Sequence, residues 1–479
     1  MKYFINAAEY YTSIFDSLWV DKDLYLAVSS PEVQEILYRV NEFVEEENYN
    51  AAQEYIQANL TIVTSANLTS LEESIYYYYY SVCLFFKERV DEAYEAIEKA
   101  VTLHSEIAYY YHNMAIICFK QGKYSDVISL LEQSRSSAIP FYLSSAYLAV
   151  IYSFERLWLK SVVCAEEAKQ HHIDSKNLVE LCLMTSSFKC SNQIKSDLDF
   201  SSFCQDDLNI ESLYTQFPEA HFHSHTRKEG HDLCVFFACD YSYFLSHCVY
   251  SILSINAQRV KTNVHVHLFN DDGFERNEFD KLIKRVEELK YITCTYSFET
   301  IHYLDYYMDC PLYTSTMRFC RAYQYMQAYR QSLIIVDCDS LFRVPVNEIT
   351  SHIHRPIAVL GDEYAPEWER LAAGVVYLKH GEVALNYLRH VSYFIMNNIL
   401  LGKGLWFLDQ IALKFAYEIT LQDKPGHYER LEAKMFCDLA YTEQSYIWMV
   451  TAKKDEQTKY NHFKNDLKEK YFSIDELLR

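Results

Sequence analysis

The sequence predicts an α + α/β protein, with a helical-repeat array over residues 1–190, a linker over residues 191–230 and an α/β domain over residues 231–479. Three observations predict this division. Bulky and small residues recur with a fixed spacing in the first part. Apolar runs of strand length alternate with helical patterns in the last part. The stretch between them is polar and shows neither pattern.

Columns of similar residues mark the repeat. Val90, Tyr124 and Trp158 are bulky residues 34 positions apart. Columns with the same spacing hold Ala93, Val127 and Ser161; Ile97, Leu131 and Ala165; Ala100, Ser134 and Ala168; Ser81, Ala115 and Ala149. Small residues let two helices approach closely, and such units must stack because none buries its own apolar face. The pattern resembles the tetratricopeptide repeat, and a helical bundle with coincidental spacing is the alternative.

Details within the array leave its role open. Glycine is expected at positions 88, 122 and 156, but only Gly122 is present. The tyrosine run at 76–80 belongs either to a concave partner-binding surface or to the core. The array is therefore either a surface that binds a partner or a scaffold.

The last part alternates strands with helices. LCVFFACD, VHVHLFND, ITCTYSFE and SLIIVDCD have strand length and apolar character, and helical patterns lie between them. This alternation predicts parallel β-α-β units in a sheet covered on both faces. Ligands bind beyond the carboxyl ends of such strands, where Asp240 and Asp337 fall. The absence of a glycine-rich phosphate loop argues against an ordinary ATPase or a dinucleotide-dependent oxidoreductase.

Asp337 and Asp339 are the candidate metal ligands. They are one residue apart at the end of a buried strand, and hard oxygen ligands suit Mn²⁺ or Mg²⁺, which also bind diphosphate oxygens. The alternative is a solvated turn. The apolar LIIV before the pair and Leu341-Phe342 after it favour the metal site.

Composition excludes some classes of function. The chain has 479 residues and a formal net charge of -22, which argues against a nucleic-acid binder or a basic membrane-surface protein. Its fourteen cysteines form no Cys-x-x-Cys pair, and no secretory signal precedes them. We therefore expect reduced, mostly buried thiols in a cytoplasmic protein without a transmembrane helix.

Several motifs, in this order, resemble the glycosyltransferase A fold and, within it, glycosyltransferase family 8. FFACDYSYFLSHCVYSI is similar to the family's first strand and helix, TSTMRFCRAY to the helix before the metal strand, and LIIVDCDSLF to that strand. AAGVVYLK and FLDQIAL resemble its N-A-G-V strand and D-Q helix. The resemblance covers residues 232–450. It implies a Rossmann-like domain that uses Mn²⁺ or Mg²⁺ to transfer a sugar from a UDP-sugar, with retention at the anomeric carbon.

The resemblance also implies site residues. The implied set is Asp240, Ser242 and Tyr243 for the nucleoside; Asp337 and Asp339 for the metal; Arg318, Asp409 and Gln410 near the reacting sugar; and Lys453 or Lys454 for the diphosphate. The chain departs from the family at Ala372, where the family has Asn, and at Ile411, where it often has Asp. The family's late histidine motif, a source of the third metal ligand, is not recognisable, and His462 is a weak candidate.

Local alternatives remain for some of these residues. Asp240 is also placed to cap a helix, and Asp409 to be a cap or a surface carboxylate. His265 and His267 share one face of a strand, which is compatible with a metal but more typical of a packed pair. The histidines at 221, 223 and 225 suggest a metal trap or, more simply, a connecting loop.

The sequence leaves three functions open. The first is a transferase that acts on a protein or glycan acceptor, with the repeat array as the candidate acceptor-binding surface. The second is a nucleotidyltransferase, which should carry a glycine-rich loop after its first strand. The third is a non-catalytic interaction protein that combines repeats with a degenerate transferase domain.

Overall fold

A computed structural model describes residues 15, 17–66, 68–173, 177–191, 193–204, 208–223, 232–270, 283–301, 310–362, 365–450 and 458–471. The chain divides into two compact units, Met1–Ser196 and Asp197–Arg479. Among the described residues, no helix has both the length and the apolar character needed to span a bilayer.

The first unit consists of helices. They are α1 (Pro31–Glu45), α2 (Tyr49–Ala58), α3 (Leu60–Ser65), α4 (Ser70–Phe86), α5 (Val90–Leu103), α6 (Ala108–Lys120), α7 (Tyr124–Ser136), α8 (Leu143–Phe154), α9 (Trp158–Gln170) and α10 (Leu178–Ser191), with a 3₁₀ turn at Leu24–Ala27. Helices α5, α7 and α9 begin at the three bulky residues of the first column, so the helices follow the spacing of the sequence. Ala100, Ala115 and Ala149 of the columns of small residues are fully buried. The assignment of these helix pairs to the tetratricopeptide family stays a prediction.

The turn before each of α5, α7 and α9 adopts a left-handed backbone. The φ angles are 59° at Glu88, 73° at Gly122 and 59° at Arg156. The expected glycine positions therefore have the conformation that favours glycine, although two of them carry other residues. A side chain in this conformation costs roughly 1–2 kcal/mol.

The tyrosine run belongs to the core and holds an N-terminal segment in place. Tyr78 and Tyr79 are fully buried. The Tyr78 hydroxyl donates to the carbonyl of Trp19 at 2.7 Å, and the Tyr79 hydroxyl donates to the carbonyl of Asp21 at 2.9 Å. Asn113 of α6 also bonds both backbone groups of Trp19. Part of the face formed by α4 and α6 is thus filled by the chain itself.

The second unit is built on a mixed eight-stranded sheet. Its strands are β1 (His221–His223), β2 (Leu233–Asp240), β3 (Thr262–Asn270), β4 (Ile292–Thr300), β5 (Ser332–Val336), β7 (Ile357–Gly361), β8 (Leu371–Leu378) and β9 (Tyr428–Glu432), and β6 (Leu341–Phe342) pairs separately with β10 (Ile447–Trp448). The order is β1-β4-β3-β2-β5-β8-β7-β9. Strands β4, β3, β2 and β5 are parallel, as predicted. Strands β1 and β8 run antiparallel to their neighbours, so the sheet as a whole is mixed.

Helices cover both faces of β2. The helices of this unit are α11 (Ile210–Tyr214), α12 (Tyr241–Tyr243), α13 (Val249–Ala257), α14 (Cys310–Tyr329), α15 (Val346–Ser351), α16 (Glu382–Leu400), α17 (Leu408–Thr420), α18 (Ala433–Phe436) and α19 (Thr458–Tyr471), with a π-helical turn at Phe244–Cys248 and 3₁₀ turns at Ser201–Cys204 and Pro425–His427. Val235 and Phe237 share one buried cluster with Ile252 of α13. Phe236 points to the other face, where its ring meets Tyr325 of α14 at 5.7 Å.

Residues from Asp197 onward belong to the second unit, although the sequence predicts a linker there. Asp199 is anchored on α16, since the Asn398 side chain donates to its carbonyl at 3.0 Å. The hydroxyl of Tyr214 donates to the carbonyl of Cys320 at 2.7 Å. The polar composition of this stretch suggested a linker. The contacts that fold it join positions that are distant in sequence, so no local pattern in the sequence indicated them.

The twelve cysteines whose side chains the structure describes are free thiols, and ten of them are buried, whereas Cys190 is exposed and Cys437 is half-buried. This agrees with the expectation of mostly buried thiols.

Replacement of Arg156 with glycine is predicted to stabilise the first unit. Glycine adopts φ near 59° without a steric penalty, so Arg156→Gly should raise the free energy of unfolding by about 0.5–1 kcal/mol. The matched reversal is Gly122→Ala, which should lower it by a similar amount because an alanine there is strained. Urea denaturation of the full chain measures the free energy of unfolding of both variants. A stabilising effect of Gly122→Ala would contradict the left-handed turn that positions 122 and 156 share.

Candidate active site

A cavity lies at the carboxyl ends of β2 and β5, which are adjacent and parallel. Its volume is about 610 Å³, and its walls come from β2, α12, α14, the turn after β5, β8 and the start of α17. Seven of the predicted site residues line it: Asp240, Tyr243, Arg318, Asp337, Asp339, Asp409 and Gln410. The fold therefore brings together residues from four separate sequence motifs.

The Asp337–Asp339 turn has a fixed backbone. Each of its three carbonyls accepts a hydrogen bond from a side-chain hydroxyl at 2.6 to 2.9 Å, the donors being Ser340 for Asp337, Ser251 for Cys338 and Tyr460 for Asp339. The backbone N–H of Asp337 also donates to the carbonyl of Gly374 at 3.0 Å. The two carboxylates therefore project from a rigid support. No sequence pattern pointed to Ser251 or Tyr460, which are distant along the chain.

Arg318 joins two acidic residues of the cavity. It lies on α14 with a side chain that is 8% exposed, and its Nη1 donates to Asp337 Oδ1. Its Nη2 donates to Asp409 Oδ2 and to the carbonyl of Ala373, both at 3.1 Å. One guanidinium thus balances two carboxylates, and such charge-assisted bonds fix their orientation. The side chain of Asp337 remains 37% exposed, so Arg318 does not cover it.

Asp240 and Tyr243 connect the end of β2 to the Asp337–Asp339 turn. Asp240 Oδ1 accepts a hydrogen bond from the backbone N–H of Tyr243 at 2.7 Å, so Asp240 does cap α12. It also lines the cavity, and the cap therefore does not exclude contact with a ligand. The Tyr243 hydroxyl donates to Asp339 Oδ2 at 2.7 Å. Burial, together with the Asp339 carboxylate, raises the pKa of Tyr243, which keeps the hydroxyl protonated as a donor.

Asp409 is a buried carboxyl group, and the alternative of a surface carboxylate is wrong. It is 7% exposed, and its Oδ1 accepts from the backbone N–H of Gln410 at 2.8 Å. Burial raises the pKa of Asp409, and the Arg318 guanidinium opposes this shift. The structure thus places the side chains of Asp409, Arg318 and Asp337 in one ion-paired row along the cavity wall.

The Asp337 carboxylate fits the requirements of a hard divalent cation. Its Oδ2 faces Gly374 of β8, where an added Cβ would lie 3.3 Å from that oxygen and 3.2 Å from Met449 Sδ. The glycine therefore lets β8 approach the second oxygen closely, while the first oxygen is held by Arg318. Carboxylate oxygens of this kind suit Mn²⁺ or Mg²⁺.

Among the described residues, no third His, Cys, Asp or Glu side chain places its ligand atom within 4.8 Å of those of both Asp337 and Asp339. Among the described residues, three potential metal ligands do lie within 4.8 Å of one another, and they are the thiols of Cys239, Cys248 and Cys338. Thiols suit soft metals and not Mn²⁺ or Mg²⁺. Asp337 and Asp339 would thus share a hard cation with water or substrate oxygens, as Mg²⁺ sites commonly do.

Some predicted residues lie elsewhere. Ser242 is exposed on α12 and does not line the cavity, because successive residues of a helix point in different directions and Tyr243 takes the inward position. Lys453 and Lys454 lie outside the described residues. His462 is 83% exposed on α19, and its nearest acidic partner is Asp466 at 3.9 Å, so it is no ligand of the Asp337–Asp339 turn.

The histidines of β3 form a packed pair. His265 Nε2 and His267 Nδ1 lie 2.9 and 2.7 Å from Ser297 Oγ. Both imidazoles are fully buried, and burial lowers the pKa of each. His221 and His223 belong to β1, which pairs with β4, and position 225 lies outside the described residues.

No protein-family model matches the chain, and no curated protein matches it. Three similar solved structures are glycosyltransferases, each 12% identical in sequence. They are GlyE of Streptococcus pneumoniae (52% of this chain, 62% of that chain, TM-score 0.35), the bifunctional glycosyltransferase WbbM (67% and 69%, TM-score 0.34) and mouse xyloside xylosyltransferase 1 (46% and 98%, TM-score 0.27). The matched region thus spans less than two thirds of GlyE. At these TM-scores the likenesses assign no reaction.

Replacement of Gly374 with alanine tests whether Asp337 Oδ2 is a metal ligand. The added Cβ would crowd that oxygen, so we expect the affinity for Mn²⁺ to fall about 10-fold. Electron paramagnetic resonance of free Mn²⁺ during a titration measures the affinity without any assay of activity. Gly426→Ala is the matched control, since nothing lies within 4 Å of its added Cβ. Equal Mn²⁺ affinity in both variants would contradict the assignment of Asp337.

Proposed function

We propose that this chain is a metal-dependent glycosyltransferase that moves a sugar from a UDP-sugar to an acceptor hydroxyl, with retention at the anomeric carbon. The observation that carries the proposal is the convergence of Asp337, Asp339 and Arg318 on a cavity at the carboxyl ends of parallel strands. Diphosphate donors need positive charge near the leaving group, and the residues that bind a cation and supply a guanidinium line the same cavity.

The carboxylates of Asp337 and Asp339 would hold Mn²⁺ or Mg²⁺. The bound ion would supply neutralisation of the charge on the departing diphosphate. Asp240 lines the cavity from the adjacent strand and would bind the nucleoside, while its bond to the Tyr243 backbone keeps it in place. Lys453 or Lys454 remains the proposed partner of the diphosphate on the basis of the sequence alone.

Asp409 and Gln410 would lie near the reacting sugar. Arg318 holds Asp409 at 3.1 Å and keeps its carboxylate oriented towards the cavity that Gln410 also lines. Transfer breaks the bond between the anomeric carbon and the diphosphate oxygen and forms a bond to the acceptor oxygen, whose proton passes to the departing diphosphate. The protein contributes mainly positioning and electrostatic stabilisation to such a reaction.

The acceptor is a protein or a glycan, and the helical unit is a proposed surface for binding it. The segment at Trp19 and Asp21 occupies part of the face of α4 and α6. An acceptor would therefore use another face of this unit or displace that segment.

A protein that binds a nucleotide-sugar without transferring it is the second candidate. One observation favours it: among the described residues, no third carboxylate, imidazole or thiol atom lies within 4.8 Å of the ligand atoms of both Asp337 and Asp339. Such a protein would bind UDP in the presence of Mn²⁺ but would release no free sugar from any UDP-sugar.

Asp339→Asn is predicted to abolish most of the turnover. The substitution removes the charge that would bind the cation but keeps the shape that accepts the Tyr243 hydrogen bond, so the fold should persist. We expect the Mn²⁺-dependent hydrolysis of a UDP-sugar to fall by about 100-fold or more. Release of UDP from UDP-glucose, UDP-galactose and UDP-N-acetylglucosamine, with Mn²⁺ or with EDTA, is the measurement.

Asp466→Asn, at an exposed carboxylate of α19, is the control for a general loss of charge and should hydrolyse at the wild-type rate. Wild-type turnover with normal metal dependence in Asp339→Asn would sink the assignment of the site. Binding of UDP without hydrolysis of any donor by the wild-type chain would instead support the second candidate.

A further inference from the structure

Three cysteine thiols meet beside the Asp337–Asp339 turn. Cys239 lies on β2, Cys248 is the last residue of the π-helical turn, and Cys338 lies in the turn after β5. Their Sγ atoms all lie within 4.8 Å of one another, and all three side chains are buried. The fold thus gathers three thiols from three separate elements.

Two features distinguish these thiols from the other buried cysteines. A buried cysteine ordinarily packs as a small hydrophobic side chain, and the remaining cysteines that the structure describes form no group of three potential metal ligands. The second feature is the π-helical turn that ends at Cys248. Such turns are rare and frequently lie at functional sites. This one brings the Cys248 thiol to the two thiols at the strand ends.

The spacing of the three sulfur atoms suits a single metal ion. A zinc–sulfur bond is about 2.3 Å long, which places the sulfurs around one ion roughly 3.8 to 4.0 Å apart. Sulfur atoms that already lie within 4.8 Å of one another reach this spacing through small movements of their side chains. Thiolates select soft cations such as Zn²⁺ and Cu⁺ over Mn²⁺ and Mg²⁺. The thiol group and the carboxylate pair therefore differ in the ions that they prefer.

The cavity gives an ion access to the thiols. Cys239 and Cys338 line its wall, and each is 4% exposed. Binding replaces the thiol protons, which pass to water. The Cys338 thiol donates to the carbonyl of Ala238 at 3.4 Å, and this weak bond is given up when its proton leaves. The existing hydrogen bond therefore does not prevent the sulfur from binding a cation.

We propose that Cys239, Cys248 and Cys338 form a binding site for one soft, closed-shell cation, Zn²⁺ or Cu⁺. The proposal does not depend on the transferase activity. Three sulfurs satisfy Cu⁺, whereas Zn²⁺ takes a fourth ligand, a water molecule on the side of the cavity. The bound ion joins the end of β2, the π-helical turn and the turn after β5. It thereby stabilises the folded chain and the backbone from which Asp337 and Asp339 project.

X-ray absorption spectroscopy of the full wild-type chain tests this site. The reduced chain is loaded without oxygen, once with Zn²⁺ and once with Cu⁺, and weakly bound ions are removed with a chelating resin. We expect about one ion per chain, bound directly to three sulfurs for Cu⁺, or to three sulfurs and one oxygen for Zn²⁺. Either result supports the site. Retention of neither ion, or binding mainly through oxygen or nitrogen, would overturn it.

Substitution of Cys248 tests the ligand set, since this thiol does not line the cavity of the proposed active site. Competition with a chelator should show that Cys248→Ala weakens binding of the retained ion by about 100-fold or more, because a direct ligand is lost. Cys294→Ala, at a buried cysteine of β4 in the same apolar cluster, is the matched control and should bind as wild type does. Equal affinity in the two variants would contradict the site. The wild-type spectrum decides the question even where Cys248→Ala does not fold.

Discussion

The guanidinium of Arg318 connects the parts of the site that lie far apart in sequence. It bonds to Asp337 after β5, to Asp409 in α17 and to the carbonyl of Ala373 in β8. Loss of the almost buried Arg318 side chain would leave two carboxylates without their common cation, and the desolvation cost of the buried Asp409 would no longer be offset. The side-chain positions of Asp337 and Asp409 in the cavity depend on this interaction.

The support of the Asp337–Asp339 turn is separate from that ion pair. Three hydroxyl groups fix its carbonyls, and the Tyr243 hydroxyl fixes one carboxylate oxygen of Asp339. A site held in this way loses little entropy when a ligand binds, which is the main requirement for chemistry driven by positioning and charge. Arg318 balances the charge while the turn sets the geometry, so a metal and a diphosphate would meet groups that are already oriented.

The sequence predicted the local elements well and their spatial arrangement less well. LCVFFACD matches β2 residue for residue, because an apolar run between two aspartates limits the length of the strand. The antiparallel β8 beside β5 was not predicted, since the direction of a strand is not encoded in its hydrophobic pattern. The bond from Tyr460 to the Asp339 carbonyl spans 121 positions, and no local signal marks it. The prediction that Ser242 lines the site was wrong. Ser242 and Tyr243 belong to the same motif, but the side chains of adjacent helix residues point in different directions.

Calorimetric titration of UDP into the full chain tests most directly whether the Asp337–Asp339 site binds a nucleoside diphosphate through a divalent cation. The titration is carried out once with Mn²⁺ and once with EDTA. We predict saturable binding with a stoichiometry of about one in Mn²⁺, and an affinity at least about 10-fold weaker in EDTA, because the diphosphate would then face the carboxylates directly. Equal affinity under both conditions, or no binding in either, would contradict the metal-dependent site.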